Sequence, residues 1–575
     1  MIRTEFTGPK VDLPERPVLA ANSGGGKSQA GRPEDLPARK PPTPGEVDPA
    51  DRFPRRERSS DLKDELFPIG TNLTPVTDWS RERAFLDGFK TSRPWISGQG
   101  DVWDDGRSLD LDQHGWVRTL QEEQVARTLL LVEQEGQYPA GQYVVLYDGK
   151  GNLVYGFDAV RDEAASIPGI DRINVEPSNS GIYLAITETD PEDSGDYIRN
   201  IRVIPPGFED SFAEEIFHPT FLEKTAPYKV LRFTHWMKTN GSPLVNWNER
   251  PVVDSARFTG GTGVPIELLV TLSNRVAADP WFSIPHQATD EYIREFAGMV
   301  RESLHPDRRV FIEYSNEVWN PLFLQSDWVE QQAKALWPDT EESDFTKRIN
   351  WYGMRSAQTC DIWKEVWGAS SQRVVCILSS QAVNPWTATT ALECPLWSEA
   401  PCIDHGVDAL GIAPYFGDYI GLPAVEEEVV HWTLEEDAGY SKLFQELTVG
   451  GLLSNSPPGG ALQQAYRSME SSKRVALFHG IDLVAYEGGQ HLAGTWGVEN
   501  NAAVNRLFQA ANRDPRMGQI YTDYLARWGR IGGGLYVNFT NVSAYTKWGS
   551  WGALEFLNQT STPKFDALMR RIAVR

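Results

Sequence analysis

The sequence predicts an α/β protein: a (β/α)8 TIM barrel with an antiparallel β-sandwich inserted after the first barrel strand. Three observations predict it. Near-continuous apolar runs alternate with helical stretches through the second half of the chain, as a parallel sheet covered on both faces requires. Eight such runs are found, and no glycine-rich phosphate turn follows the first, which disfavours an open doubly wound sheet. Between the first and second runs lie about 110 residues of a different character, short β-branched and aromatic segments split by turn signals.

The elements follow in chain order. Residues 1–66 are rich in Pro, Gly, Ser and charge and contain no Trp, which reads as a disordered tail or linker. "ANSGGGKS" (Ala21–Ser28) resembles a phosphate loop, but the proline-rich stretch after it cannot open the helix such a loop needs. Residues 67–97 supply the first strand, Ile69–Leu73, and then "SRERAFLDGFKTSR", read as a helix capped by Ser80. Residues 98–208 form the jelly-roll-like insert, with runs such as "ARTLLLVE", "QYVVLYDG" and "GIYLAITETD". Residues 209–575 supply the rest of the barrel. Its strands are expected at Tyr228–Phe233, Ile266–Leu272, Arg309–Ser315, Arg373–Ser379, Ala409–Tyr415, Ile481–Glu487 and Gly533–Phe539. "ATDEYIREFAGMVRESL" and "NWYGMRSAQTCDIWKEVWG" are among the helices between them.

Composition narrows the function. The net charge of -24 argues against sequence-independent nucleic-acid binding, which needs clustered Lys and Arg, and makes an anionic polymer a poorer ligand than a neutral one. No apolar run approaches the ~20 residues needed to cross a bilayer. With 20 Trp, 19 Tyr and 24 Phe there is material for both a large core and a few platforms for flat, weakly polar sugar rings. Neither a C-x-x-C nor an H-E-x-x-H occurs, so no metal or other cofactor is expected. Cys360 and Cys376 read as buried thiols, while Cys394 and Cys402 bracket "CPLWSEAPC" and can form a local disulfide. "MIRTEF" shows no signal-peptide pattern, yet the expected location is secreted or periplasmic. The oligomeric state is not legible.

In a (β/α)8 barrel the site lies at the C-terminal ends of the strands. Asn316 and Glu317 follow the fourth predicted strand, and Glu487 ends the seventh. Two glutamates there can converge across the barrel mouth, as glycosidic cleavage by a carboxyl pair requires. Arg232, after the second strand, can hold Glu487 ionised, and Tyr415, after the sixth, can donate to it. Asn316 can bind the sugar hydroxyl beside the reacting carbon. His286, Trp319, Trp548 and Trp551 complete the candidate substrate-binding set. Glu313 reads as a hydrogen-bonding group within the barrel.

"IEYSNEVWN" (Ile312–Asn320) resembles the strand-four signature of clan A glycoside hydrolases, and "LVAYEGG" (Leu483–Gly489) their strand-seven motif. The resemblance covers the barrel. It implies a retaining glycosidase acting on a polysaccharide or oligosaccharide, with Glu317 as acid/base and Glu487 as nucleophile. Two features depart from the pattern. Val318-Trp319-Asn320 stands where the common motif continues with proline, and His286 is a weak match to the family's strand-three histidine. A carbohydrate-binding protein without turnover and a transglycosidase are the alternatives.

Overall fold

The computed structural model describes residues 67–573; the expected tail, residues 1–66, lies outside the described residues. Eight parallel strands close into a barrel in chain order. They are β1 (Ile69–Asn72), β2 (Val230–Arg232), β3 (Asp279–Ile284), β4 (Val310–Tyr314), β5 (Val374–Ser379), β6 (Ala409–Ile412), β7 (Asp482–Ala485) and β8 (Tyr536–Asn538). All are buried along their length except for Asp482. That is why their sequences read as apolar runs without alternation. β8 closes on β1 with Gly70 opposite Val537 and Thr71 opposite Asn538. A Cβ at Gly70 would lie 2.8 Å from the carbonyl oxygen of Val230, so only glycine lets β1 and β2 approach this closely.

Helices cover the outside of the barrel. The helix Asp290–Ser303 starts where the Thr289 side chain accepts from the Tyr292 N–H, and it buries Tyr292, Ile293, Phe296, Ala297 and Val300. That spacing is one helical face. The helix Asp344–Trp367 is capped in the same way by Ser343.

Two expected elements differ. Ile266–Leu272 is not a strand but the start of a helix, Ile266–Val276, and the third strand is Asp279–Ile284. The helical segment buries Ile266, Leu269, Val270, Leu272 and Val276 and turns Glu267 and Arg275 outward. The segment read as a Ser80-capped helix forms turns and a short 3-10 helix, Gly88–Thr91. Its polar side chains are tied to distant backbone instead. Glu82 accepts from the Thr74 N–H at 3.0 Å, and Asp87 accepts from the Val203 N–H at 3.0 Å. Those tertiary bonds outweigh local propensity. The first barrel helix, Pro219–Thr225, comes only after the inserted strands.

Between β1 and that helix the chain forms two four-stranded antiparallel sheets. One is ordered Ile96–Gln99, Gln124–Leu130, Ile182–Thr189, Gly151–Phe157. The other is ordered Arg199–Ile204, Gly141–Asp148, Ile170–Val175, Ala159–Arg161. Leu130, Val145, Leu153, Ile173, Leu184 and Ile201 belong to one apolar cluster that draws on both sheets. The chain leaves and rejoins the barrel at a seam. Leu86 N–H donates to Ile216 O at 3.0 Å, and His218 N–H donates to Ala84 O at 2.8 Å. Beside it, Arg93 donates to Asp78 at 2.9 Å.

Cys394 and Cys402 are joined in a disulfide, and Cys360 and Cys376 are buried free thiols. Among the described residues, no helix is long and apolar enough to cross a membrane.

Candidate active site

The polar residues at the C-terminal mouth of the barrel are organised by one buried cation. Arg232, the last residue of β2, is fully buried. It donates to Glu487 Oε1 at 2.8 Å, Glu313 Oε2 at 2.9 Å, Asn316 Oδ1 at 2.9 Å and Asn72 Oδ1 at 3.1 Å. Burial pulls its pKa down, but the two carboxylates more than offset that and leave it firmly cationic. Glu313, at mid-β4, takes a second donor from the Trp281 indole at 3.0 Å, so the guanidinium is braced from below.

β4 ends at Tyr314, and the chain then turns sharply. Ser315 and Glu317 both have left-handed backbones, with φ of 58° and 42°. Non-glycine residues pay for this conformation, and such strain concentrates where a side chain must be aimed. The turn is held by Gln325, which donates to Asn316 O at 2.8 Å and to Asn240 Oδ1 at 2.7 Å. Asn240 in turn accepts from the Asn316 amide at 3.0 Å.

β7 ends at Ala485, followed by Tyr486 and Glu487. The two glycines that follow are steric requirements. A Cβ at Gly488 would lie 2.8 Å from the Tyr536 hydroxyl oxygen, and Gly489, at φ 130°, would meet the Tyr521 hydroxyl oxygen at 2.5 Å.

The two candidate glutamates have different partners. Glu487 accepts from Arg232 and, on Oε2, from the Tyr415 hydroxyl at 3.0 Å. Glu317 accepts only from neutral donors, the Tyr486 hydroxyl at 2.7 Å and the Asn320 amide at 3.1 Å. Burial raises the pKa of both. For Glu317 the hydrogen bonds from Tyr486 and Asn320 offset part of that rise. For Glu487 burial is opposed by Arg232 and reinforced by the charge of Glu317, and its pKa stands at about 7. An ionised and a protonated carboxyl can therefore coexist near neutral pH.

The other expected site residues are placed as follows. His286 directly follows β3, a consequence of the corrected strand position. Burial lowers its pKa to about 4, so it is neutral, and its ring meets Trp328 edge-on at 5.4 Å. Trp319 is 7% exposed and packs against Tyr352 within the barrel core. Trp551 packs against His491 at 4.9 Å and against Tyr415 at 6.0 Å. Trp548 is half-buried beneath the Lys547 ammonium, which lies 4.5 Å from the ring centroid. No described contact brings His286 or Trp319 to the glutamates.

No protein-family model matches this sequence, and no curated protein matches it. Its structural neighbours are clan A glycoside hydrolases. A GH5-4 broad specificity endoglucanase from Clostridium longisporum is 10% identical, over 61% of this chain and 85% of that one, with a TM-score of 0.34. The Ignisphaera aggregans GH53 catalytic domain is 10% identical, over 62% and 89%, with a TM-score of 0.33. A thermostable mutant of a xylanase (Xyn10A) from Cellvibrio japonicus is 11% identical, over 60% and 90%, with a TM-score of 0.31. Likenesses this distant carry no weight for the chemistry, which rests on the residues of the site.

Sequence reasoning left four groups around the glutamates without a role: Tyr486, Asn320, Asn240 and Gln325. Tyr486 carries a signal, because it immediately precedes Glu487 at a strand end. Asn240 and Gln325 lie far from each other in sequence and meet only through the fold.

Proposed function

We propose that the protein is a retaining glycoside hydrolase acting on a polysaccharide or oligosaccharide. The observation that carries this is the asymmetry of the two buried carboxyls. Glu487 is held by a guanidinium and a hydroxyl, and Glu317 by neutral donors alone. The Glu487 carboxylate attacks the anomeric carbon while the bond to the leaving oxygen breaks. Glu317 gives that oxygen its proton. In the second step the Glu317 carboxylate takes a proton from water, whose oxygen attacks the same carbon and releases Glu487. Asn316 spends one amide N–H on Asn240 and keeps the other for a sugar hydroxyl. Trp548 and Trp551, on the loop after β8, supply ring surface beside Tyr415.

Under the same reading, residues 98–208 are a β-sandwich module set into the barrel after its first strand. The Cys394–Cys402 disulfide supports a secreted or periplasmic location, since such bonds persist in oxidising compartments.

Replacing Glu317 or Glu487 with Gln and assaying aryl glycosides and polysaccharides tests the assignment. Glu317→Gln is expected to slow polysaccharide hydrolysis by about 10²–10⁴-fold, and aryl glycosides with good leaving groups less. Glu487→Gln abolishes turnover on both. A 2-deoxy-2-fluoro glycoside should leave a covalent adduct on Glu487, detectable by mass spectrometry. Two variants with unchanged turnover would sink the proposal.

A further inference from the structure

A cleft of about 510 Å³ separates the two inserted sheets from the loop after β8. That is the scale of a small-ligand site. Trp103, Phe157 and Asn179 line it from the insert, and Tyr545 and Thr546 from the loop, with Arg81 beside them. Phe157 is 55% exposed and has a left-handed backbone, at φ 58°. A bulky residue in that conformation is a genuine outlier, and its ring contributes little burial in return. Phe157 and Trp103 both pack against Tyr183, with ring centroids 5.6 and 5.9 Å away, so the rings form a fixed cluster.

Aromatic faces beside amide, hydroxyl and guanidinium groups suit sugar rings, which present apolar C–H faces and a polar rim. Charge narrows the ligand further. Arg81 is neutralised by Glu135 at 2.6 Å, and Glu133 adds a second carboxylate to the lining. That balance repels polyanions and tolerates a neutral chain. The same loop continues to Trp551, which packs on Tyr415, the donor to Glu487. One wall thus runs from the cleft to the catalytic carboxylate.

We propose that this cleft is a second carbohydrate-binding subsite, taking a neutral stretch of the polysaccharide whose bond is cleaved at the barrel mouth. The cleavage half of that statement rests on the proposed function; the binding half does not.

Affinity gel electrophoresis tests it, with the full chain carrying Glu317→Gln and with soluble β-glucan, xylan, mannan or galactan in the gel. At least one polysaccharide should retard the protein. Adding Phe157→Ala or Trp103→Ala should weaken that retardation about three- to tenfold, the worth of one aromatic contact. Val160→Ala, at a residue 67% exposed just past Phe157, should leave it as it was. Equal retardation with and without both aromatic changes would overturn the proposal, as would none by any of the four polymers. A wild-type protein that cleaves nothing but is retarded through Phe157 would overturn the enzyme reading and leave the subsite standing.

Discussion

Glu487 has to lose a proton while Glu317 keeps one. With the Glu487 pKa at about 7, the acid limb of kcat/KM should fall near neutrality. Its neighbours set the direction of each shift. The Tyr415 hydroxyl favours the carboxylate, so Tyr415→Phe should move that limb to higher pH. The charge of Glu317 disfavours it, so Glu317→Gln, assayed on an activated aryl glycoside, should move the limb to lower pH. Tyr486 lowers the pKa of Glu317, so Tyr486→Phe should carry the alkaline limb upward. Full pH profiles of the three variants check all three signs. At this scale the glutamates, Arg232, Asn316 and Tyr415 were legible because each stands where an apolar run breaks into polar residues. Tyr486 was legible only as an aromatic at a strand end, because nothing in a sequence says which carboxyl a hydroxyl will reach.

At the scale of elements, one substitution of type mattered. "IELLVTL" is short and apolar, and periodicity alone does not separate a strand from a buried helix at that length. "DPWFSI" looked like a turn because Asp-Pro opens it. In the structure Pro280 faces Leu231 of β2, and pairing with β4 begins only at Trp281. The missing N–H therefore falls before the second ladder starts. The Arg309 N–H, which would otherwise be stranded there, donates to Asp279 Oδ1 at 3.1 Å. Trp281 is the key residue of this strand, fully buried and bonded to Glu313. Trp281→Ala should cost about 3–5 kcal/mol of stability. Trp281→Phe keeps most of the volume but not the N–H, and should lose less than half of that. Thermal or denaturant unfolding of both variants separates the packing role from the bracing role.

Across the whole molecule, pH acts on stability through a group outside the active site. Glu82 is buried where the strand-one exit meets the loop after β8, and it accepts from Thr74 and Asn541. Burial outweighs those hydrogen bonds and raises its pKa from 4.5 to about 8. The folded state therefore keeps a proton that the unfolded chain has already lost. That contribution is complete below about pH 4.5 and is lost as pH rises through about 8. Glu82→Gln should flatten the difference in melting temperature across that window, measured against wild type at each pH. The barrel was readable from eight apolar runs, and the insert from its turn spacing. The tertiary anchoring of Arg81, Glu82 and Asp87 was not, since their partners lie up to several hundred residues away.

The seam at Ala84–Leu86 and Ile216–His218 changes how this chain can fold. β1 and β2 are parallel neighbours separated by more than 150 residues, which on separation alone would make their pairing a late event. The inserted sheets have their own apolar cluster, and the seam clips the two ends of that excursion together. Once it is clipped, the strands meet as though only a short crossover lay between them. The barrel can then assemble in ordinary sequential order, with the module carried as a closed bight on its rim.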